Sequence, residues 1–384
     1  MKKTTNKKGF KFPVVILLTL NTGAILLLLL AYASYYVNPE LFPWVPFAGL
    51  AYPYLLVANI FFIIIWLIYR PRYALLSVFF IALGWNHAGR HFQFSSGNEQ
   101  PVSGSDINIL SFNIQNFIKF NTSSTRYFTN FENEEKIHDF VVGQKADIVC
   151  LQEVLNDRKD HTNFIENFGK KINCPHSVWR NYYQTSKEKV DAIVIFSRYS
   201  ILRSGFLDYD DKTIAMYADL LIDADTVRVY NLHLASIHFK KEDIDFISEI
   251  TETQEQEKIK SGTRNIVSKL KQAFIKRSKQ VDIIARHIEH TSHPIIVCGD
   301  FNDTPTSYTY RKIGSGKQDA FVEKGQGFGT TYAGEIFPAY RIDYIFLDPG
   351  FKVKEFTMHD IRLSDHFPLS ARFSKNTGNP ETTE

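Results

Sequence analysis

Apolar runs dominate the first 94 residues, whereas the remaining chain alternates between apolar and polar positions. The runs at 13–37 and 41–69 contain no charged residue. Each exceeds the ~20 residues that a helix needs to cross a bilayer, so both are predicted to be transmembrane helices. A third run at 73–88 is shorter, and it either crosses the bilayer or lies re-entrant in it. Residues 1–94 are therefore predicted to form a membrane anchor with two or three transmembrane helices.

Basic residues around these runs predict the orientation of the anchor. The lysines before residue 13 and the turn at Arg70 and Arg72 should face the cytoplasm, whereas the loop at 38–46 has no Lys or Arg. A signal peptide would account for the first run but not for the second. With three crossings the chain is a multi-pass membrane protein whose soluble part is extracytoplasmic, and with two that part is cytoplasmic. The lipid bilayer is an expected partner, and no protein partner is predicted.

The rest of the chain is predicted to contain many strands and few helices. The polar stretch at 95–105 is typical of a linker. Residues 106–374 are predicted to form one globular domain, and residues 375–384 are predicted to be a disordered tail. A helix is predicted at 133–145. Alternating or short apolar runs predict strands at 107–114, 148–151, 192–196, 216–222, 227–234, 294–298, 344–347 and 369–373.

The segment 239–289 is charged and favours helix. Its apolar positions predict a stripe that covers a sheet, formed by Ile266, Leu270, Phe274, Ile284 and Ile288. The lysines of this segment, including Lys271, Lys276 and Lys279, are interpreted as a solvated face rather than a phosphate-binding strip.

Charge and cysteine content narrow the classes of function. Residues 1–90 hold 8 of the 44 Lys and Arg but 1 of the 41 Asp and Glu, so the remainder is mildly acidic. This balance gives no support to tight nucleic-acid binding, which usually needs a basic face. The three cysteines form no CxxC or metal-ligand spacing, which argues against a disulfide framework and a structural zinc site.

Acidic, amide and imidazole side chains stand where the predicted strands end. Taken singly, each has an ordinary explanation as a turn former or a packed histidine. Together they supply the oxygen ligands that suit Mg²⁺ or Mn²⁺, together with histidines. The residues concerned are Asn113, Gln115, Gln152, Glu153, Asn231, His233, Asp300, Asn302, Asp343, Asp365 and His366.

Six ordered motifs resemble those of the endonuclease/exonuclease/phosphatase family. They are Ser111-Phe112-Asn113, Leu151-Gln152-Glu153, Asn231-Leu232-His233-Leu234, Gly299-Asp300-Phe301-Asn302-Asp303, Arg341-Ile342-Asp343-Tyr344 and Ser364-Asp365-His366-Phe367-Pro368. The motifs span almost the whole region from 106 to 373. The resemblance implies an α+β fold, a four-layered α/β sandwich with two packed, mostly antiparallel sheets, which here would follow the N-terminal transmembrane segment.

The resemblance also implies a metal site for Mg²⁺ or Mn²⁺. In it, Glu153 is the principal metal carboxylate, with Asn113 and Asp365 nearby. One position departs from the family pattern: Asp191 stands where family members often have Gly before a short strand, which affects the loop over the substrate rather than the metal site.

Catalytic roles follow from the same resemblance. Asp300 would orient or deprotonate the attacking water, assisted by Asn302. His366, held by Asp343, would stabilise the phosphoryl oxygens or transfer a proton, and His233 would contact the scissile phosphate from the other side. In-line attack on an anionic phosphoester needs such groups to neutralise charge and activate water.

The predicted function is that of a metal-dependent hydrolase that cleaves a phosphodiester or phosphomonoester, with motifs closest to a nuclease. Lipid or inositol phosphates, as for a sphingomyelinase, are the alternative substrates. A non-catalytic membrane-tethered binding domain is the alternative from another class, but such a domain should have lost metal or base residues, and all are present. A transporter is disfavoured because the apolar runs contain no Asp, Glu, Lys or Arg.

Overall fold

The computed structural model describes residues 12–94, 103–117, 131–157, 161–184, 189–210, 212–237, 242–243, 246, 256–332 and 340–376. Most of the predicted linker and tail lies outside these residues. The helices are α1 Phe12–Ser34, α2 Val45–Leu50, α3 Tyr52–Tyr69, α4 Pro71–Leu83, α5 Trp85–Gly89, α6 Phe131–Gln144, α7 His161–Lys171, α8 Gln256–Glu289, α9 Tyr308–Gly314 and α10 Ala320–Lys324.

Fourteen strands are described. They are β1 Phe92–Phe94, β2 Ile107–Asn113, β3 Ile148–Asp157, β4 His176–Gln184, β5 Lys189–Ser197, β6 Ile201–Tyr209, β7 Lys212–Ile222, β8 Asp225–His233, β9 Ile295–Asp300, β10 Gln318–Asp319, β11 Gln326–Phe328, β12 Asp343–Leu347, β13 Phe351–Met358 and β14 Leu369–Lys375. They form two six-stranded sheets, ordered β13-β14-β2-β3-β5-β4 and β10-β12-β9-β8-β7-β6, and a β1-β11 pair. Only β2-β3 and β8-β9 pair in parallel among these strands.

The two large sheets share one apolar core. Alternate residues of both sheets meet there, such as Ile109 and Ile195 of the first and Val229 and Ile345 of the second. The outer face of the first sheet packs on α6 and α7 through residues such as Ile137 and Phe168, and the outer face of the second packs on α8 and α9. The predicted four-layered α/β sandwich is therefore confirmed.

Helix α8 covers most of the helix-prone segment predicted at 239–289. It begins at Gln256, and most of residues 239–255 lie outside the described part of the chain. The predicted apolar stripe divides in two. Ile284 and Ile288 cover the second sheet, whereas Phe274 packs edge-on against Phe47 of the N-terminal segment.

The N-terminal helices pack as a bundle around buried polar side chains. Asn21 of α1 accepts a hydrogen bond from the Trp66 indole (2.8 Å) and donates one to Ser77 (2.7 Å). Asn59 donates to the Ala24 carbonyl (3.2 Å). Such bonds hold helices together in an apolar surrounding, where helix packing gains little from the hydrophobic effect. The bonds tie α1, α3 and α4 to one another.

Two N-terminal helices, Pro13–Ser34 and Tyr52–Tyr69, are long and apolar enough to cross a membrane. The third apolar run does not form one helix of comparable length. Its helix α4 has 13 residues, and Gly84 separates it from the short α5. At 1.5 Å per residue, α4 covers about 20 Å of the roughly 30 Å hydrocarbon layer. Whether the third run crosses the bilayer or lies re-entrant in it stays a prediction.

One end of the bundle is packed against the sandwich. The Leu50 carbonyl accepts a hydrogen bond from the Tyr340 hydroxyl (3.2 Å), and the Arg90 carbonyl accepts one from Arg341 (2.9 Å). His91 Nε2 lies 3.0 Å from the Thr306 hydroxyl. Strand β1 pairs with β11 of the same region. The N-terminal helical bundle is thus attached at several points to the edge of the sandwich that carries α9 and the β9 end.

Candidate active site

The ends of the central strands from both sheets meet at one rim of the sandwich. Asn113 is opposite Gln152 in the parallel β2-β3 pair, and His233 is opposite Asp300 in the parallel β8-β9 pair. Asp343 begins β12 and is opposite Asp300 from the other side. Parallel pairing brings the carboxyl ends of two strands to the same edge, which explains why residues far apart in sequence meet here.

Glu153 occupies an unusual backbone position. Strand β3 is bulged against β5 between Leu151 and Val154, and Glu153 has φ +52°. Non-glycine residues rarely adopt positive φ, and bulges redirect side chains beside active sites. The Glu153 carboxylate consequently lies 3.3 Å from His233 Nε2 and accepts a hydrogen bond from Asn113 Nδ2 (3.3 Å). Burial raises its pKa, but the hydrogen bond and charge of His233 prevail and lower it to about 2.

Asp300 lies at the centre of the cluster. Its carboxylate accepts hydrogen bonds from the Asn302 backbone N–H (2.8 Å), Asn302 Nδ2 (3.0 Å) and Asn113 Nδ2 (3.1 Å). Its Oδ2 is 3.7 Å from His233 Nε2 and 3.8 Å from His366 Nε2. Burial raises the pKa of Asp300 above its usual range.

His366 is oriented by Asp343 and by an aromatic ring. Its Nδ1 lies 2.9 Å from Asp343 Oδ2, which turns Nε2 towards Asp300 and Asp365. The Tyr332 ring meets the imidazole edge-on at 5.4 Å between centroids. Burial opposes protonation of His366, but the charges of Asp343, Asp300 and Asp365 prevail and hold its pKa well above the ordinary value.

Asp365 is held by hydrogen bonds from Gln115, which follows strand β2 of the first sheet, and from the neighbouring Ser364. Gln115 Nε2 donates to its Oδ2 (2.9 Å), and the Ser364 hydroxyl donates to its Oδ1 (3.2 Å). The same hydroxyl is 2.8 Å from the Asn113 carbonyl, which fixes the loop before β14 against β2. Burial raises the pKa of Asp365 to about 6.

The composition of the cluster fits a hard divalent cation. Four carboxylates, those of Glu153, Asp300, Asp343 and Asp365, meet two imidazoles, so negative charge remains in excess even if both imidazoles are protonated. Buried charge without compensation is costly. Ligand atoms of Asp300, Asp343 and His366 lie within 4.8 Å of one another. However, His366 Nδ1 and Asp343 Oδ2 are already hydrogen-bonded to each other. The carboxylates of Glu153, Asp300 and Asp365 are the kind of oxygen ligand that Mg²⁺ or Mn²⁺ prefers. Asn113 turns its NH2 group towards Glu153 and Asp300, and its side-chain oxygen accepts a hydrogen bond from the Gln115 backbone N–H, so its assignment as a metal ligand stays a prediction.

The structure brings all eight predicted site residues into one cluster, linked by contacts of 4.0 Å or less: Asn113, Glu153, His233, Asp300, Asn302, Asp343, Asp365 and His366. Their roles stay predictions. Gln115, noted at a strand end but assigned no role, joins them through Asp365.

Other residues of the site had no sequence signal. Tyr332 follows no motif. Arg277 belongs to a helix whose basic residues suggest a solvated face, yet it is buried and donates to Asp303 Oδ2 (3.1 Å) and to the Ala235 carbonyl (2.9 Å). Asp191, which departs from the family pattern, is buried in the wall of a cavity beside Glu153.

Comparisons with family models give two matches. Residues 110–366 match the model described as Endonuclease/Exonuclease/phosphatase family. Residues 14–91 match a model described as Domain of unknown function (DUF8431). A search of curated proteins found no significant match.

Solved structures share the fold at low identity. The endonuclease/exonuclease/phosphatase from Beutenbergia cavernae is 16% identical, with 71% of this chain and 72% of that chain covered and a TM-score of 0.50. The human Nocturnin catalytic domain is 15% identical, with 73% and 97% covered and a TM-score of 0.49. The Bacteroides vulgatus protein of the same description is 20% identical, with 71% and 99% covered and a TM-score of 0.47.

Proposed function

Because the chain belongs to the endonuclease/exonuclease/phosphatase family, we propose that it is a membrane-anchored, divalent-metal-dependent phosphoesterase. The observation that carries this proposal is the position of Asp300, held by Asn302 and Asn113 between two imidazoles and beside Glu153. A base, an anion-binding pair of histidines and a group of oxygen ligands are the parts that phosphoester hydrolysis requires.

In the proposed reaction, Asp300 accepts a proton from water while the water oxygen forms a bond to phosphorus. One P–O bond to an alkoxy group breaks, and that oxygen takes up a proton to leave as an alcohol. Asn302 holds Asp300 through two hydrogen bonds, which fixes the direction of its free lone pairs. Asp300 therefore needs no reorientation before it accepts the proton.

The two histidines face the phosphate from different strands. With Nδ1 hydrogen-bonded to Asp343, His366 presents Nε2 to a phosphoryl oxygen or to the leaving oxygen. His233 presents Nε2 from β8 on the Glu153 side. Glu153, Asn113 and Asp365 would hold Mg²⁺ or Mn²⁺, and a bound divalent ion would neutralise charge on the phosphate and lower the pKa of bound water.

Metal dependence is the first prediction. We expect the full chain in detergent micelles to hydrolyse bis(4-nitrophenyl) phosphate with Mg²⁺ or Mn²⁺, and EDTA to lower the rate by at least about 100-fold because charge neutralisation is lost. The measurement is nitrophenolate release, with metal added back after EDTA as the control. A folded chain without turnover under any of these conditions would favour the non-catalytic binding domain instead.

The anchor supports an extracytoplasmic position for the catalytic domain. We propose residues 1–94 as anchor, 95–105 as linker, 106–374 as catalytic domain and 375–384 as tail. Although α4 is short, it runs back along α3: Tyr73 meets Trp66 at the end distant from the sandwich, and the Phe80 carbonyl accepts a hydrogen bond from Tyr32 at the other end. We therefore propose that the segment α4–α5 completes a third pass, with Arg70 and Arg72 on the cytoplasmic side.

This orientation predicts a protease result. We expect protease added outside sealed right-side-out membrane vesicles to cleave the catalytic domain. The reason is that the basic turn and the lysine-rich N-terminal residues keep the end of the bundle that is distant from this domain in the cytoplasm. Immunoblotting with antibody against the domain measures the cleavage. Inside-out vesicles are the control, and protection in right-side-out vesicles with cleavage in inside-out ones would place the domain in the cytoplasm.

A further inference from the structure

The candidate active site separates two cavities of different character. One, of about 240 Å³, is lined by polar groups that include Lys212, Lys276, Gln280 and Asp191. The other, of about 160 Å³, contains Asp300, Asp365 and His366. Glu153 lines both cavities. A phosphate bound at the cluster therefore has space for one substituent on each side.

The smaller cavity has an apolar wall that comes partly from the anchor. Leu50, the last residue of α2, lines it together with Leu270 and Phe274 of α8, and with Ile237 and Ile342. The Tyr340 hydroxyl, which also lines this cavity, is hydrogen-bonded to the Leu50 carbonyl. Phe47, one turn before Leu50, packs on Phe274. The membrane segment thus contributes directly to the space around the proposed reaction centre.

This wall lies at the end of the bundle where a bilayer surface would be. Aromatic side chains at that end are more than half exposed, namely Tyr36, Phe42, Trp44, Tyr54 and Trp85. Tyrosine and tryptophan gather where hydrocarbon meets headgroups. Beyond Leu50, α3 continues with the exposed Tyr54 and Val57 into the membrane-spanning part of the bundle. An acyl chain that leaves the cavity past Leu50 would therefore meet exposed apolar side chains of α3.

We infer that the substrate is a phosphodiester lipid of the surrounding bilayer. Its headgroup occupies the polar cavity, its phosphate lies at the Glu153–Asp300 cluster, and its glycerol or sphingoid end passes the Leu50 wall towards α3. Hydrolysis yields one alcohol and one phosphomonoester, one of which retains the acyl chains. This inference rests on the proposed phosphoesterase function and selects its substrate class.

A nucleic acid fits the same surroundings less well. A polynucleotide carries charged, polar substituents on both sides of each phosphate, and its binding depends mainly on Lys and Arg along the backbone. Here the smaller cavity beside the cluster is lined in part by Leu50, Leu270 and Phe274, and the Arg277 that also lines it is already hydrogen-bonded to Asp303. The nuclease-like motifs concern the reacting groups, which any phosphodiester substrate requires, so they do not distinguish the two substrate classes.

The test uses the full chain in mixed micelles that contain phosphatidylcholine, phosphatidylethanolamine and phosphatidylglycerol, with Mg²⁺ or Mn²⁺. Lipid products are measured by mass spectrometry. Glycerophosphocholine, plasmid DNA, RNA and bis(4-nitrophenyl) phosphate are assayed in parallel. We expect hydrolysis of at least one lipid, and glycerophosphocholine, which lacks acyl chains, to have a kcat/KM at least tenfold lower than phosphatidylcholine or whichever lipid is cleaved.

A variant tests the role of the anchor wall. Leu50→Asp places a charge in the apolar cavity, and we expect it to lower the ratio of lipid to bis(4-nitrophenyl) phosphate hydrolysis at least tenfold. Leu41→Asp is the matched control, since Leu41 lies in the connection just before α2, is 73% exposed and does not line either cavity. Leu50→Ala, which adds no charge, should lower the ratio in the same direction if the Asp variant does not fold.

The outcomes separate the inference from the function on which it rests. Metal-dependent cleavage of bis(4-nitrophenyl) phosphate without lipid cleavage would overturn the inference and leave the phosphoesterase proposal standing. Faster cleavage of DNA or RNA than of any lipid would also overturn it, as would equal ratios for the Leu50 and Leu41 variants. No hydrolysis of any of these phosphoesters would overturn both.

Discussion

Asp300→Asn is expected to lower kcat for bis(4-nitrophenyl) phosphate by about 10³-fold, the usual contribution of a general base. The substitution retains the shape of the side chain and one acceptor oxygen, so the hydrogen bond from the Asn302 backbone N–H can persist. The amide has no basic oxygen that can accept the proton of the attacking water. Steady-state kinetics at saturating metal measures this loss, which should fall on kcat more than on KM.

The control for this variant is Asp360→Asn, which makes the same chemical change on an exposed residue outside the cluster. Its rate should stay within about twofold of the unmodified protein, since surface changes seldom matter. Circular dichroism and the unfolding temperature establish that both variants fold. A folded Asp300→Asn protein with a rate within threefold of the control would assign the proton transfer to another group. The neighbouring imidazoles of His233 and His366 would then be tested.

The rim of candidate site residues could be predicted because each residue lies at or near the end of a strongly apolar strand. The strands around Asn113, His233 and Asp300 are buried along most of their length, which gives the sequence a clear pattern. The way in which the strands bring those ends together depends on two parallel pairs formed across long sequence separations, and no local pattern specifies such pairing. The family resemblance supplied that information.

Edge strands and short helices were not predicted from the sequence. Strand β6 is exposed at several consecutive positions and has no regular alternation. Strand β13 is only partly buried after its first three residues. Periodicity identifies an element only where one face is buried and the other solvated, so edge strands give a weak signal.

The position of Leu50 in the cavity wall could not be predicted from the sequence for another reason. Leu50 belongs to an apolar run, and the predicted membrane anchor already accounts for an apolar residue there. Its hydrogen-bonded contact with Tyr340 joins residues 290 positions apart. Lys276 shows the converse case: it was interpreted as part of a solvated face, yet it lines the polar cavity beside Glu153. Both positions follow from the packing of α8 between the sheet and the anchor.

Glu153→Gln, a substitution at the strained backbone position, is expected to lose metal binding, which is the second large effect. A bulge and a positive φ are retained at this residue, and they direct its carboxylate to the centre of the cluster. Glutamine has the same shape but no charge, so the site should lose much of its attraction for a divalent ion. We expect kcat/KM to fall by about 10²–10³-fold, because charge on the phosphate is then less well neutralised.

Metal binding provides a readout of Glu153 that does not depend on activity. If Mn²⁺ at about 100 times its Kd stabilises the folded chain by about 2.7 kcal/mol, the unfolding temperature rises on metal addition. Glu153→Gln should abolish most of that rise, whereas Glu257→Gln, at an exposed position of α8, should retain it. A Glu153 variant with an undiminished rise would move the metal towards Asp300, Asp343 and His366, whose ligand atoms also lie close together. Retained activity with a lost rise would instead separate metal binding from catalysis. The paired measurement therefore decides whether the bulge at Glu153 exists to hold the metal.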